Sequence, residues 1–565
     1  MISNDYTKFS SKRRSLRYSN RILLLMGTIL LIVVYFYSDI LVDKSIIMFR
    51  NENKGQMLSG SFTLRHIYRH GVDKGHRTQE VLDITKQNED AFGRYFKREL
   101  DEFNANAVGL NTDDPLRELW TSDKQFITDN PFNFKFGLKG NKQILHRMVD
   151  RDPSFIEPYL DFARESPDMA AKVTIDWVEG GEVVVVPDIT DKNTVVSLAL
   201  MSSNAYVRLP YTDDWRNVSL PWDSNDTPGY GWESNGIRGH VFVNDLENIV
   251  VISIKGTSAQ GLPGSGEDET TGNDKLNDNL LFSCCCARVS YLWTTVCDCY
   301  LKSYTCDETC LEQAIKEKDH YYQAAMDIYK DTLRQYPHAT IWLTGHSLGG
   351  ALASLVGRTY GLPTVAFESP GELLAAKRLH LPFPPGLPSY DEGIWHIGHT
   401  ADPIYMGTCN GASSTCSIAG YAMETGCHSG KQCVYDVVRD KGWHVNMLNH
   451  RIHTVIDGIL TKYDKVATCH EPDPCVDCYN WNFMPHGKKP KKQTTSSSSE
   501  KVDTSTTKSI DRTTITTRTN EKKWHPNPKD PSTTTTDDKT LMSSCLHRNW
   551  VGICTEYTTF TKRLI

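Results

Sequence analysis

The sequence predicts an α/β fold: a mostly parallel sheet with helices on both faces. Short apolar, β-prone runs alternate with segments of helical periodicity, as strand–helix–strand units require. The chain of 565 residues is long enough for one large domain with appendages. Its formal charge of −7 is mild for this length, and nothing in the composition indicates a nucleic-acid partner. The predicted strands are Glu182–Val186, Val241–Val243, Ile249–Ile254, Ala339–Leu343, Pro363–Phe367 and Gly393–Ile397.

Local patterns define the other early elements. Within the mixed region 44–170, a helical piece is predicted at Glu89–Phe103. The apolar runs on either side of the turn Asn244-Asp245 predict a hairpin. Leu311–Arg334 has apolar and aromatic residues at helical spacing, and Pro337 lies just beyond it. One long amphipathic helix is therefore predicted there.

The most informative stretch is Thr344-Gly345-His346-Ser347-Leu348-Gly349-Gly350. It lies between a predicted strand and a predicted helix, Ala351–Thr359, which is rich in small residues and ends at Gly361. A Gly-x-Ser-x-Gly in this setting is the nucleophile elbow of α/β-hydrolases, whose glycines let the helix pass close to a sharply turned serine. The stretch therefore predicts an α/β-hydrolase fold with Ser347 as the nucleophile.

A serine nucleophile needs a base and an orienting acid, and in this fold the chain order is serine, acid, histidine. Asp402 comes soon after the strand Gly393–Ile397, where a carboxylate can reach an imidazole, and it is the predicted acid. An ordinary Asp-Pro turn is the alternative interpretation. Three further carboxylates lack so clear a preceding strand: Asp391, Asp436 and Asp440.

The predicted general base is His450. It directly precedes a predicted C-terminal helix, Arg451–Leu460, at the loop-to-helix position expected of the last triad member. His453 lies one turn into that helix and is the runner-up, followed by His444. The other downstream histidines are His428 and His470.

The oxyanion that forms during acyl transfer needs donors already in place. One predicted donor is the backbone N–H of Leu348, directly after the nucleophile. The other is Thr257, because the strand Ile249–Ile254 runs straight into Lys255-Gly256-Thr257. A plain turn at the end of the strand is the alternative.

Basic residues concentrate at the N-terminus, directly before an uncharged run, Ile22–Tyr37. With Ile40–Val42, this run predicts a signal-anchor transmembrane helix at 22–42 behind a cytosolic basic segment at 1–21. A cleaved signal peptide is the alternative, but no Ala-x-Ala-like cleavage site follows. The predicted hydrolase domain, 44–485, would then be lumenal.

Cysteines and sequons agree with a lumenal domain. All sixteen cysteines follow the apolar run, and an even number suits disulfide bonding in an oxidising compartment. Their spacing leaves the pairing open, and zinc binding at Cys475-x-x-Cys478 is the rival interpretation. The sequons at Asn217 and Asn225 predict glycosylation on a surface loop.

The chain changes character after about Pro485. Residues 486–540 are rich in Thr, Ser, Lys and Asp and poor in large apolar side chains. Such a segment cannot bury enough surface to offset its ordering entropy, so it is predicted to be disordered. The last residues, 541–565, form a short segment that holds Cys545 and Cys554.

Several motifs together resemble the fungal-type (class 3) lipases, and most closely the autophagy-related vacuolar lipases of fungi. The resemblance spans roughly Arg65–Trp481 and includes the N-terminal anchor. It implies Ser347, Asp402 and His450 as the triad, Thr257 with Leu348 as the oxyanion hole, and no metal or cofactor. One departure is Lys255, where secreted members carry arginine or another residue. The motifs are Lys255-Gly256-Thr257, the serine motif, Phe367–Glu372, His396–Ile404 and Asn446–His453.

The resemblance also implies a function and a route through the cell. It implies a single-pass type II membrane protein that passes through the endoplasmic reticulum, Golgi and multivesicular bodies to the vacuole. There it would hydrolyse phospholipid and triacylglycerol esters of intravacuolar vesicles, including autophagic bodies. Because fungal-type lipases place a lid in this part of the chain, part of Ser258–Tyr304 is expected either to cover the site or to be an ordinary disulfide-held loop.

Other function classes stay open from the residues alone. A serine peptidase or another esterase shares the acyl-enzyme chemistry, and a catalytically inactive, membrane-anchored lipid-binding protein is the non-enzymatic alternative. Arg69-His70-Gly71 resembles the histidine-phosphatase signature, but position 73 is aspartate rather than a phosphate-binding arginine.

Overall fold

A computed structural model describes the chain, which divides into two compact units, Met1–Ser499 and Glu500–Ile565. The predicted basic segment 1–21, the predicted anchor 22–42 and nearly all of Glu89–Phe103 lie outside the described residues. The described residues are 58–73, 76–86, 88–89, 94, 135–166, 175–206, 216–217, 235–258, 270–289, 293–316, 320–384, 389–411, 413–485, 540–548 and 554–562.

The first unit combines one large sheet, one small sheet and helices, and the described part of the second unit is a hairpin, β16–β17. In chain order the strands are β1 (Leu58–Asp73), β2 (His76–Asp83), β3 (Phe136–Leu145), β4 (Glu182–Pro187), β5 (Arg216–Asn217), β6 (Asn235–Asn244), β7 (Ile249–Ile254), β8 (Tyr300–Lys302), β9 (Thr305–Asp307), β10 (Thr340–His346), β11 (Thr364–Phe367), β12 (Ile394–His399), β13 (Lys431–Tyr435), β14 (Cys469–His470), β15 (Asn482–Met484), β16 (Thr540–Arg548) and β17 (Cys554–Lys562).

The helices of the described residues follow the same order. They are α1 (Pro153–Glu165), α2 (Lys192–Asn204), α3 (Thr271–Phe282), α4 (Glu308–Ile315), α5 (Tyr321–Gln335), α6 (Leu348–Tyr360), α7 (Leu373–Arg378), α8 (Thr415–Ile418), α9 (Val437–Lys441) and α10 (Ile452–Val455), with 3₁₀ turns at Ser389–Glu392 and Met447–His450 and a π turn at Ile456–Leu460. Among these described helices, none has both the length and the apolar composition that a membrane span needs.

The large sheet is parallel only over one block of neighbouring strands. The five parallel strands are neighbours in the order β7-β10-β11-β12-β13. The other strands of this sheet join antiparallel, so the prediction of a mostly parallel sheet is wrong. β6 and β7, for example, are joined by residues 245–248, whereas a parallel connection needs a crossover of a dozen or more residues.

Strand β7 shows how helices cover both faces. All six of its residues are buried, and successive side chains point to opposite faces. Val250 and Ile252 pack in one core with α5 and α6, whereas Val251 packs in a second core with α2 and the π turn. The sheet is therefore covered by an apolar core on each face. Because five neighbouring strands are parallel, their carboxyl ends meet at one edge of the sheet.

Most of the predicted elements around the serine motif are present. β10, α6, β11 and β12 occupy the predicted positions, and α6 ends at Gly361 in the left-handed conformation (φ 64°). The single helix Leu311–Arg334 is wrong, because α4 ends at Ile315 and α5 begins at Tyr321. The intervening Lys-Glu-Lys-Asp-His run offers no apolar position, which explains why the two helices do not merge.

The cysteines of the first unit are all disulfide-bonded. Cys475 and Cys478 pair with Cys427 and Cys284, so the zinc interpretation is wrong. Asn217 lies in β5 rather than in a loop, while Asn225 and the side chains of the remaining two cysteines lie outside the described residues. The other disulfides are Cys285–Cys306, Cys286–Cys297, Cys299–Cys310, Cys409–Cys416 and Cys433–Cys469.

Candidate active site

Ser347 lies at the turn between β10 and α6, with its backbone in the left-handed region (φ 56°). Its N–H donates to the carbonyl oxygen of Phe367 at 3.0 Å, which ties the turn to β11. A Cβ at Gly345 would lie 2.4 Å from the Gly349 carbonyl oxygen, and one at Gly349 would lie 2.1 Å from that of Ile254. Both glycines are therefore required for the helix to pass this close to the strands, which is the geometry of a nucleophile elbow.

His450 connects the predicted nucleophile and acid. Its Nε2 lies 2.8 Å from Ser347 Oγ, and its Nδ1 lies 2.7 Å from Asp402 Oδ2. His450 ends the 3₁₀ turn Met447–His450, and Asp402 follows β12, so both side chains lie at the carboxyl edge of the parallel strands. The three predicted residues thus form one hydrogen-bonded chain, with Nδ1–H donating to the carboxylate and Nε2 free to accept from the hydroxyl.

Asp402 has no exposed surface, and its second oxygen accepts from the Ile404 N–H at 2.8 Å. Burial raises the pKa of Asp402, but the charge and hydrogen bond of His450, together with the neighbouring Glu368, outweigh this and lower it to about 2. The carboxylate is therefore ionised over the whole range in which an imidazole can act as a base.

The rival candidates have other surroundings. Asp436 caps α9 by accepting from the Arg439 N–H, and Asp440 accepts from the Arg439 side chain. Asp391 lies in the 3₁₀ turn Ser389–Glu392 beside Lys431. Among the rival histidines, His453 lies within α10, and the backbone carbonyl of His444 accepts from Asn449.

The turn after β7 lies against the elbow. A Cβ at Gly256 would lie 2.2 Å from the His346 carbonyl oxygen and 2.1 Å from Tyr206 Oη, so only glycine fits there. Thr257 follows, and its Oγ1 donates to Asp278 Oδ2 at 2.5 Å. Leu348 is the first residue of α6, so its N–H has no acceptor within the helix. The two predicted oxyanion donors therefore flank the same elbow.

A buried ion pair supports this turn. Lys255 Nζ lies 3.0 Å from Asp274 Oδ2 and also donates to Thr270 Oγ1 at 3.0 Å. The same Asp274 oxygen accepts from the Ser258 N–H at 2.8 Å, and the other accepts from Tyr321 Oη at 2.7 Å. Helix α3, which carries Asp274, is thus bound to the turn by charge-assisted hydrogen bonds.

These contacts bear on the expected lid. The last residues of α3, Leu280–Phe282, are buried in the core, and Cys284–Cys286, which follow after Ser283, are all disulfide-bonded. This part of Ser258–Tyr304 is therefore a disulfide-held core element rather than a cover, while residues 259–269 lie outside the described residues.

Two further histidines support the base, although the sequence predicts a role for neither. His346 Nε2 donates to the His450 carbonyl oxygen at 2.8 Å and its Nδ1 accepts from Tyr206 Oη at 2.8 Å. His399 Nε2 donates to the Asn449 carbonyl oxygen at 3.0 Å. Burial and the neighbouring His450 lower the pKa of His346 to about 3, so the ring stays neutral. The feature of the sequence that could indicate their role is their position: His346 directly precedes Ser347, and His399 lies three residues before Asp402.

One buried group has the composition of a metal site. The ligand atoms of Glu372, His396 and His428 lie within 4.8 Å of one another. However, both ring nitrogens of His396 are engaged, Nδ1 by Ser369 Oγ at 2.9 Å and Nε2 by the Ser429 carbonyl oxygen at 2.5 Å. The group is therefore a buried hydrogen-bonded cluster, and the other groups of this kind in the described residues contain disulfide-bonded cysteines.

The motif Arg69-His70-Gly71 lies within β1, where the Arg69 guanidinium pairs with Glu80 at 2.6 Å. An arginine engaged by a carboxylate is not available to hold a phosphate group. The contact argues against the phosphatase interpretation.

Comparison with known proteins gives a consistent result. The model of the family Lipase (class 3) matches residues 275–360. A Kluyveromyces lactis protein named "Putative lipase ATG15" is 58% identical over 501 residues, covering 88% of this chain and 88% of its own length. A Saccharomyces cerevisiae protein of the same name is 54% identical over 536 residues, covering 94% and 95%.

Among solved structures, the Lip2 lipase of Yarrowia lipolytica is 19% identical and covers 35% of this chain and 61% of its own, with a TM-score of 0.19. A TM-score this low supports no conclusion about the fold. The family membership of this chain rests instead on the two relatives, which are 58% and 54% identical to it. The chain belongs to the ATG15 family of fungal class 3 lipases, which makes it a carboxylic-ester hydrolase of the lipase type.

Proposed function

We propose that the protein is a membrane-anchored serine lipase that hydrolyses phospholipid and triacylglycerol esters in the lumen of an acidic compartment. The observation that carries this proposal is the chain Ser347 Oγ, His450 and Asp402, with separations of 2.8 and 2.7 Å. Elbow, base and acid come from three loops at one sheet edge, so their convergence is not a local accident of sequence.

The geometry supports an acyl-enzyme route. Ser347 Oγ attacks the ester carbonyl while His450 Nε2 takes its proton, and Asp402 stabilises the imidazolium that forms. The carbonyl oxygen becomes an oxyanion, which the Leu348 N–H and Thr257 would stabilise. The imidazolium then protonates the leaving alcohol. Water activated by the same imidazole cleaves the acyl-enzyme and releases the fatty acid.

Charge and redox chemistry support the setting. Seven disulfides among the described residues are typical of a chain that folds in an oxidising lumen. Residues 22–42, behind the basic segment 1–21, would anchor the chain with its N-terminus in the cytosol. Glycans at Asn217 and Asn225 would fit the same orientation. Family membership supports the route through the endoplasmic reticulum, Golgi and multivesicular body to the vacuole, with lysis of autophagic bodies and other intravacuolar vesicles.

The test is an assay of the purified full-length protein on three substrates: phospholipid vesicles, triacylglycerol emulsion and a peptide ester with its matching amide. The proposal expects release of fatty acid from both lipids and no cleavage of the amide. Amide cleavage would indicate a peptidase, and binding of vesicles without turnover would indicate the inactive lipid-binding alternative.

The free energy of unfolding is expected to fall as pH rises from about 6.5 to 8. Burial raises the pKa of Asp278 to about 8, although Thr257 opposes this, and burial raises that of Glu392 to about 7 against the opposing Arg358. At about pH 6.5 both carboxyls are protonated in the folded protein and ionised in the unfolded protein. Their contribution to the free energy of unfolding is therefore present at low pH and is lost as pH rises through their folded pKa values. The buried histidines His240 and His346, whose pKa values burial lowers to about 3, oppose this trend only below pH 6.5.

Chemical unfolding at about pH 6.5 and 8 checks this expectation. A single proton gives at most about 1.4 kcal/mol per pH unit. Asp278→Asn keeps an oxygen that accepts from Thr257 but cannot ionise, and it should flatten the slope. A parent protein equally stable at both pH values, or a variant with an unchanged slope, would contradict the assignment.

A further inference from the structure

Glu368 follows β11 directly, one strand away from the strand that leads to Asp402. Its side chain has no exposed surface, and its N–H donates to the Ile397 carbonyl oxygen at 2.9 Å. Its backbone lies in the left-handed region (φ 44°), which a non-glycine residue adopts at a cost. Two neighbouring parallel strands are thus each followed by a buried carboxyl, Glu368 and Asp402, at the catalytic edge of the sheet.

The Glu368 carboxyl has little to stabilise a negative charge. Within the described part of the chain, neither oxygen accepts a hydrogen bond of ordinary geometry. The nearest ring nitrogen, His399 Nε2, is 3.7 Å away and already donates to the Asn449 carbonyl oxygen. The carboxyl that neighbours it is that of Asp402: the two residues follow adjacent parallel strands, and each carboxyl shifts the pKa of the other.

Two adjacent buried carboxyls cannot both ionise, and the surroundings decide which one keeps the proton. Asp402 accepts from His450 and from the Ile404 N–H, whereas the described residues offer Glu368 no comparable donor. Burial, then the charge of Asp402, raises the pKa of Glu368 well above its ordinary value, and the nearby His399 N–H does not offset this. Glu368 is therefore the neutral partner and has an O–H to donate.

Other ionisable groups face this pair from several elements. His450 and His399 lower the pKa of Asp402, and the charge of Asp402 in turn opposes the lowering of the pKa of His346, which lies on β10. Burial, then Glu368, Glu372 and Asp402, raise the pKa of Tyr405, whose hydroxyl donates to the His396 carbonyl oxygen at 3.5 Å. None of these side chains supplies a cation to Glu368 with the geometry that His450 supplies to Asp402.

We propose that Glu368 is a positioning residue of the catalytic site, whose neutral carboxyl donates a hydrogen bond to Asp402 and so holds the carboxylate that orients His450. The proposal rests on the serine-lipase function proposed above. It gives a reason for a strained, fully buried glutamate beside a catalytic acid. It also has a consequence for the pH profile, because a donor to Asp402 withdraws negative charge that would otherwise favour the protonated imidazole.

Three full-length proteins test the proposal: the parent, Glu368→Gln and Glu368→Leu. The glutamine amide can still donate to Asp402, whereas leucine is similar in size and cannot. The measurement is kcat/KM for a soluble short-chain ester from about pH 4 to 8. Glu368→Gln should stay within about threefold of the parent, while Glu368→Leu should lose on the order of 10- to 100-fold as Asp402 and His450 shift.

The pH profile separates positioning from a merely structural role. The acid limb of kcat/KM should be unchanged in Glu368→Gln and should move to higher pH in Glu368→Leu, by about 0.5 unit or more. Equal losses in both variants with parental acid limbs would overturn the proposal, as would parental activity in both. A parent without esterase activity would instead overturn the proposed function.

An infrared difference spectrum covers the case in which Glu368→Leu does not fold. The parent minus Glu368→Gln spectrum at neutral pH should contain the carbonyl stretch of one protonated carboxyl group. A spectrum showing only the loss of an ionised carboxylate would overturn the placement of the proton, whether or not the enzyme is active.

Discussion

Ser347→Ala is expected to abolish ester hydrolysis while leaving the fold intact. The hydroxyl is the atom that His450 Nε2 contacts at 2.8 Å, and no other nucleophile occupies its place at the elbow. Loss of a triad nucleophile lowers kcat by on the order of 10⁴- to 10⁶-fold. The measurement is fatty-acid release from phospholipid vesicles by the purified full-length variant, compared with the parent at equal concentration.

Two controls define the result. Thermal unfolding of Ser347→Ala should match that of the parent closely, since alanine occupies less space at the same turn. His450→Ala should lose a similar factor, and the double variant should be no worse than either single variant, because the residues act as one unit. A Ser347→Ala protein that keeps more than about a hundredth of parental activity would contradict the assignment of the nucleophile.

The three residues of the candidate triad could be predicted because each one lies at a position that the local sequence marks. The elbow needs glycines at fixed spacing around Ser347, and Asp402 and His450 follow or precede recognisable elements. The carboxyl ends of parallel strands meet at one edge, so residues there converge even though they are far apart in the chain.

What was missed depends on contacts that no local pattern encodes. Glu368 and His346 are notable only once their burial and partners are visible. The early strands β1 and β3 escaped prediction because residues 58–145 mix polar and apolar positions without a sustained period. The predicted helix Leu311–Arg334 is too long because helical periodicity continues on both sides of a charged gap, although the disulfide Cys299–Cys310 fixes α4 separately from α5.

Lys255→Met is expected to destabilise the folded protein by about 3–5 kcal/mol, the usual effect of removing one partner of a buried ion pair. The Lys255 and Asp274 side chains are only 1% and 2% exposed, so Asp274 would lose its cation at a site with little access to water. Methionine fills a similar volume, which makes charge rather than packing the main change. The measurement is the free energy of unfolding in urea at neutral pH.

The matched control is the double variant Lys255→Met, Asp274→Asn. It removes the uncompensated charge, while the amide oxygen can still accept from the Ser258 N–H, which Asp274 now binds at 2.8 Å. At least half of the lost stability should return. A single variant within about 1 kcal/mol of the parent would contradict a buried pair, and a double variant as unstable as the single one would assign the loss to packing.

The same two variants test whether the pair also serves catalysis. Thr257 lies between Lys255 and Ser258, which are both bound to Asp274, so the pair holds this donor from two sides. With the pair gone, the donor should be placed less well even in a stable protein. We expect kcat of the double variant to stay at least about tenfold below the parent, because oxyanion donors act only when preorganised. Parental kcat in the stabilised double variant would show that the pair contributes to folding alone.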